Sequence, residues 1–200
     1  MGYLFHAFKG QMSLYNHERP VKEVIADVST PQKLKSQLIK TQEIRKYTEQ
    51  VLGVKSTANY STFVDLKRKY VVWVVTAAAP FELKQKTWSF PIAGTVPYLG
   101  FFEEEKAQAY ADEILKSEGF DVYVRGARAY STLGYLRDPL LSSMLSDEDS
   151  EMVNLFFHET THRYVYIAGD SDFNEAAATF IGDLGEETFI TEKFGRLQKN

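Results

Sequence analysis

The chain has 200 residues, 44% apolar and 25% charged, the balance of a folded unit with a sizeable core and not of a disordered segment. With 23 basic against 27 acidic residues and a net charge of −4, it lacks the basic field a nucleic-acid partner needs, and the "LKRKY" run at 66–70 reads as a solvated strand end. It contains no cysteine, which excludes disulfides, thiolate nucleophiles and sulfur-ligated zinc, and no apolar run approaches the ~20 residues of a membrane span.

The opening residues, "MGYLFHAFKGQMSLYNHERP", lack the basic start and apolar core of an export signal, and a helix is expected over 3–16. A shorter helix starts at Pro20 and carries Val21, Val24 and Ile25 towards the core. After "STP" at 29–31, Leu34, Leu38, Ile44, Tyr47, Val51 and Leu52 recur at helical spacing up to Gly53, which predicts one long amphipathic helix. The period then changes. "KYVVWVVTAAAP" (69–80) is β-branched and aromatic and suits a strand, and "TWSFPIAGTVPYLGFF" (87–102) reads as one or two strands interrupted at Pro91, Gly94 and Pro97. "EEEKAQAYADEILKSEG" (103–119) returns to helix, with Gly119 as its stop, and "FDVYVRGARAYST" (120–132) predicts two short strands around Gly126. The order favours an α+β fold, a small mixed or antiparallel sheet packed on helices. No repeat or linker divides the chain, so 1–200 is read as a single domain, with a helical part over about 1–58 and a sheet-bearing part over about 59–200.

The next helix carries the chemistry. "SDEDSEMVNLFFHETTHRYVYIAG" opens with Ser146 and Asp149 in capping-box relation and closes at Gly169, which predicts a helix over about 147–168. His158 and His162 are four apart and project from one face, so both imidazoles can reach a single metal ion, while Glu159 is angled towards a metal-bound water. A catalytic zinc wants three protein ligands and an open position. The two other histidines, His6 and His17, lie near the distant N-terminus, so the third ligand is a downstream carboxylate unless one of them returns through the fold. Asp170, Asp172, Glu175, Asp183, Glu186 and Glu187 are the candidates. "DFNE" at 172–175 reads as the start of a new helix capped by Asp172, with Asp170 in the turn. An antiparallel return brings Glu175 beside the two histidines, which makes it the expected third ligand, and the small residues at 176–178 permit close approach.

"YVVWVV", "TWSFPIAGTVPYLGFF", "GFDVYVRGARAYSTLGYLRDPLLSSML", "FFHETTH" and "DFNEAAATF" together resemble the bacterial zinc aminopeptidase family, a branch of the gluzincin-like metallopeptidases, from about Tyr3 to Ile190. The resemblance implies one zinc per chain on His158, His162 and Glu175, with Glu159 as catalytic base. It also implies an exported protein of the periplasm or cell envelope whose precursor carries a lipoprotein-type signal. Two departures accompany it. Relatives carry a pair of cysteines where this chain has Ser89 and Thr95, and they continue well past the N-E helix, whereas this chain stops at Asn200, so part of a substrate pocket is expected to be missing.

The chemistry expected is hydrolysis of a peptide or protein substrate by Glu159-assisted attack of a zinc-bound water. "GARAYSTLGYLRDP" supplies Arg128, Tyr130, Tyr135 and Arg137 as groups to stabilise an oxyanion, with Tyr130 and Tyr135 the leading pair and Tyr164 and Tyr166 on the zinc helix or at its end. Residues 128–132 are the expected edge for pairing with an extended peptide. Asp183, eight residues after Glu175, could orient a histidine, though an exposed helix position suits it better. A zinc-stabilised, non-catalytic peptide-binding or scaffold protein of the envelope is the competing reading, and it predicts bound metal without turnover.

Overall fold

The computed structural model describes residues 2–55, 57–82, 84–90, 94–132 and 136–197. The chain begins with helix α1 (Gly2–Asn16), a short β1 (Arg19–Pro20), α2 (Val21–Ala26) and the long α3 (Gln32–Val51). β2 (Thr62–Val64) and β3 (Val72–Ala78) follow, then β4 (Trp88–Phe90), β5 (Gly94–Val96) and β6 (Leu99–Phe101). α4 (Glu104–Tyr110) runs into a π-helical turn over Ala111–Leu115. After it come β7 (Asp121–Ala127), β8 (Leu140–Leu141) and a 3-10 turn at Ser142–Met144, and the chain closes with α5 (Asp149–Tyr164) and α6 (Ser171–Leu197). The fold is α+β, with small mixed and antiparallel sheets carried on helices.

β3 is the centre of the main sheet, paired antiparallel with β6 on one side (Val74 opposite Gly100) and with β7 along its whole length on the other (Val74 opposite Arg125). The alternation of β3 sorts its side chains: Val75 and Ala77 join Leu99, Phe101 and Ala107 in one apolar cluster under α4, whereas Val72 and Val74 face the cluster built on α3 and α5. β7 runs unbroken through Gly126, a single strand in place of the two short ones the glycine suggested. A second small sheet joins β1, β2 and β8, with β2 and β8 parallel; strands this short carry too little periodicity to be read from sequence. β4 and β5 form a hairpin in which Ser89 and Thr95 lie opposite each other with their hydroxyls 3.0 Å apart.

The outer edge of β6 is covered by α1. The Tyr3 hydroxyl accepts from the Gly100 N–H at 3.2 Å and donates to the Gly100 carbonyl at 3.1 Å, and His6 Nε2 accepts from the Phe102 N–H at 3.2 Å. Side chains thus satisfy the backbone groups that an edge strand would leave open. Among the described residues no helix is long and apolar enough to cross a membrane.

α5 is buried on one side by Met152, Val153, Phe156 and Phe157, which pack on α3 and α6. Its start differs from the expected capping box: Glu148 holds the cap position without a side-chain bond, and Asp149 instead pairs with Lys40 and Lys193. It ends at Tyr164, short of the expected 168, because Val165 turns to an extended conformation; Gly169, at φ +85°, serves the turn beyond. α6 returns antiparallel to α5, as the pairings of Asn154 with Asp183 and Glu186 and of Asp149 with Lys193 require. Gly185 permits the close approach, since a Cβ there would come within 2.4 Å of the Phe157 ring.

Candidate metal centre

His158 and His162, one helical turn apart on α5, point their Nε2 atoms at one another across 3.1 Å. Glu175, in the first turn of α6, spans the pair: Oε2 lies 3.6 Å from His158 Nε2 and Oε1 lies 3.6 Å from His162 Nε2. One donor atom from each of the three falls within 4.8 Å of the others, the only such group of three or more His, Asp or Glu side chains among the described residues. A tetrahedral zinc with bonds of about 2.0–2.2 Å needs donors roughly 3.3 Å apart, so separations of 3.1 and 3.6 Å fit a single ion with little adjustment.

Glu175 owes its place to the residue before it. Asn174 is buried at 3% exposure; its Oδ1 accepts from the Ile167 N–H and its Nδ2 donates to the Ile167 carbonyl, both at 2.8 Å. This two-way clamp fastens the first turn of α6 to the end of the α5–α6 connection and sets how Glu175 faces the histidines. The helix starts two residues earlier than expected and is capped by Asp170, whose Oδ1 accepts from the Phe173 N–H at 3.1 Å, so Asp172 is not the cap. Asp183 accepts from Asn154 Nδ2 and does not orient a histidine.

The electrostatics follow from these contacts. The Glu175 carboxylate holds the His158 imidazole above its ordinary pKa against the opposing effect of burial, and His158 holds Glu175 below its own. His162, nearly enclosed, is pushed down by burial. Glu159 is 8% exposed, and burial raises its carboxyl to about 7. That places it near neutrality, where a group that must both take and give a proton works best.

These four residues line an open cleft of roughly 1410 Å³ between α5, α6, α1 and the sheet. Tyr130 reaches the cleft, but its hydroxyl donates to Gln11 Oε1 on α1, and burial raises its pKa strongly. Tyr135 lies outside the described residues. Arg128 lines the cleft but is tied to the Ser143 and Leu145 carbonyls and to Glu151; Arg137 pairs with Glu18; Tyr164 turns away and donates to the Lys55 carbonyl at 3.3 Å. Residues 128–132 form no strand, because β7 ends at Ala127 and the Arg128 carbonyl is taken by the Ser143 hydroxyl.

The tyrosine that sequence reasoning passed over is Tyr98, in the connection from β5 to β6. It lines the cleft with the histidines, and its hydroxyl makes no hydrogen bond among the described residues. Burial, then the Glu175 carboxylate, push it up to about 12, so it stays a donor at neutral pH. Its signal was Pro97, which was read only as a strand breaker.

Neither the curated proteins nor the solved structures give a match to this chain. A family model described as "Putative aminopeptidase" matches residues 2–199, and the chain belongs to that family.

Proposed function

We propose that the chain is a zinc-dependent metallopeptidase acting as an aminopeptidase, with His158, His162 and Glu175 as the metal ligands and Glu159 as the catalytic base. The observation that carries this reading is the meeting of two imidazole nitrogens and one carboxylate at single-ion spacing, with Glu159 beside them in the same cleft. Zinc, when bound, supplies a Lewis acid and lowers the pKa of a coordinated water. Glu159 removes the proton from the attacking water and passes it to the departing amine. The free Tyr98 hydroxyl donates to the peptide carbonyl oxygen as negative charge develops there, a task for which the engaged Tyr130 hydroxyl is poorly disposed.

An aminopeptidase also needs an anion for the free amine of its substrate. Asp172 lies three residues before Glu175 on α6, lines the cleft, and makes no hydrogen bond or ion pair among the described residues. It is the carboxylate we assign to that ammonium group. Export to the cell envelope is part of the same proposal and rests on the family resemblance. The test compares the zinc-loaded protein on a free-amine peptide and on its N-acetylated form. Preferential cleavage of the free amine supports the reading, and equal cleavage removes the aminopeptidase assignment.

A further inference from the structure

Behind the metal-binding face of α5 lies a second, small cavity. Its volume is about 20 Å³, enough for one water molecule, and it is bordered by Tyr60, Asn59, Arg45, Glu159 and Arg163. Two buried polar atoms of these bordering residues have no hydrogen-bond partner among the described residues: Glu159 Oε2 and Arg163 Nη1. They are chemical complements, an acceptor and a charged donor, and they sit four residues apart on one face of α5, in the order that favours acid-to-base pairing along a helix. A buried donor or acceptor left without a partner carries its full desolvation penalty, so the fold is expected to supply a bridge.

Other groups around the cavity reinforce the need. Asp138 is 3% exposed; its carboxylate accepts from the Thr132 N–H and hydroxyl, its own backbone N–H donates to Asn59 Oδ1, and it lies close enough for its charge to act on Glu159. The Tyr60 hydroxyl is enclosed beside both carboxylates. Arg163 is the cation that acts on Asp138 and on Tyr60. The Arg163 guanidinium therefore answers Asp138 and the Tyr60 hydroxyl, while Glu159, enclosed beside the same two groups, has an oxygen still to be satisfied.

We propose that an ordered water in this cavity joins Glu159 Oε2 to Arg163 Nη1, and that Arg163 is thereby a positioning residue that fixes the Glu159 carboxylate from behind. The contact is a property of the fold; the catalytic consequence rests on Glu159 being the base. Arg163 is then the reason Glu159 presents its other oxygen to the cleft in one orientation.

The test is a double-mutant cycle with a kinetic arm. Unfolding of the metal-free protein is measured for the parent, Glu159→Gln, Arg163→Met and the double variant. The bridge predicts that Arg163→Met lowers the melting temperature clearly in the parent and by less than half as much in the Glu159→Gln background; equal shifts in the two backgrounds overturn it. With zinc loaded, Arg163→Met is expected to lower kcat about 10- to 100-fold at unchanged zinc content and little-changed KM, with Arg163→Lys recovering part of the loss. Added guanidinium should restore turnover to Arg163→Ala. An unchanged kcat alongside a lowered melting temperature would leave Arg163 a structural residue and refute the positioning role. If the cycle couples but no variant, nor the parent, cleaves any peptide, the peptidase reading fails while the water bridge stands.

Discussion

The two sides of α5 hold their polar groups in opposite ways. On the cleft side, His158 and His162 each face Glu175 at 3.6 Å, the carboxylate about half exposed and the imidazoles largely enclosed. On the far side, Glu159 and Arg163 border a water-sized recess with Tyr60, each keeping one atom buried, and Asp138 lies near enough for its charge to reach Glu159. The first arrangement leaves room for an ion and a substrate; the second spends its contacts on fixing one carboxylate. A metal ligand can adjust as the ion arrives, whereas a general base must be held in its working geometry before the reaction begins.

The sharpest way to break this comparison is Glu159→Gln. With Glu159 proposed as the base and not as a ligand, turnover should fall about 10²- to 10⁴-fold while zinc content stays at that of the parent. Loss of zinc along with turnover would merge the two sides of the helix into one role. Next in size is the tyrosine contrast. Tyr98→Phe should lower kcat about 10²-fold, as removal of one oxyanion donor does, and Tyr130→Phe should leave kcat nearly untouched because that hydroxyl is spent on Gln11. The reverse order would return the role to Tyr130.

The meeting of His158, His162 and Glu175 was legible because its signal is local. His158, Glu159 and His162 fall within one turn, Glu175 follows through a single connection, and helical periodicity alone brings them together. Tyr98 and Arg163 were not, for a physical reason. Tyr98 reaches the cleft only because β6 pairs with β3, and the meaning of Arg163 depends on Asp138 and Tyr60 arriving from the residues just before β8 and β2. The same holds for the short strands β1, β2 and β8, which are fixed by tertiary pairing and carry no pattern of their own. The Asp172 cap failed to a near neighbour: Asp170 offers the same side chain two residues earlier, at a position where it meets the Phe173 N–H.

Smaller effects refine the cleft. Asp172→Asn should reduce the preference for a free-amine peptide over its acetylated form about 3- to 5-fold, since an exposed ion pair contributes little more, without altering zinc content. The least effect is expected far from the site, at His6. Burial and the nearby Lys106 ammonium hold its pKa below the ordinary imidazole value, so the folded state binds its proton less readily than the unfolded chain. Its contribution is therefore complete above about pH 6.5 and lost as pH falls towards the lower folded value. Melting temperature should drop between about pH 7.5 and about pH 5.5 in the parent and drop less in His6→Gln, which cannot titrate. An identical pH dependence in both proteins would show that the His6 contact with the β6 edge adds nothing.

The account stands or falls on the shared ion. Zinc titration of the metal-stripped protein, followed by calorimetry for the parent, His162→Ala and Glu175→Ala, tests it most directly. One zinc bound per parent chain, with either substitution abolishing or severely weakening that binding in a protein that still unfolds cooperatively, is the predicted result. A parent that binds no zinc, or whose binding survives both substitutions unchanged, would contradict it.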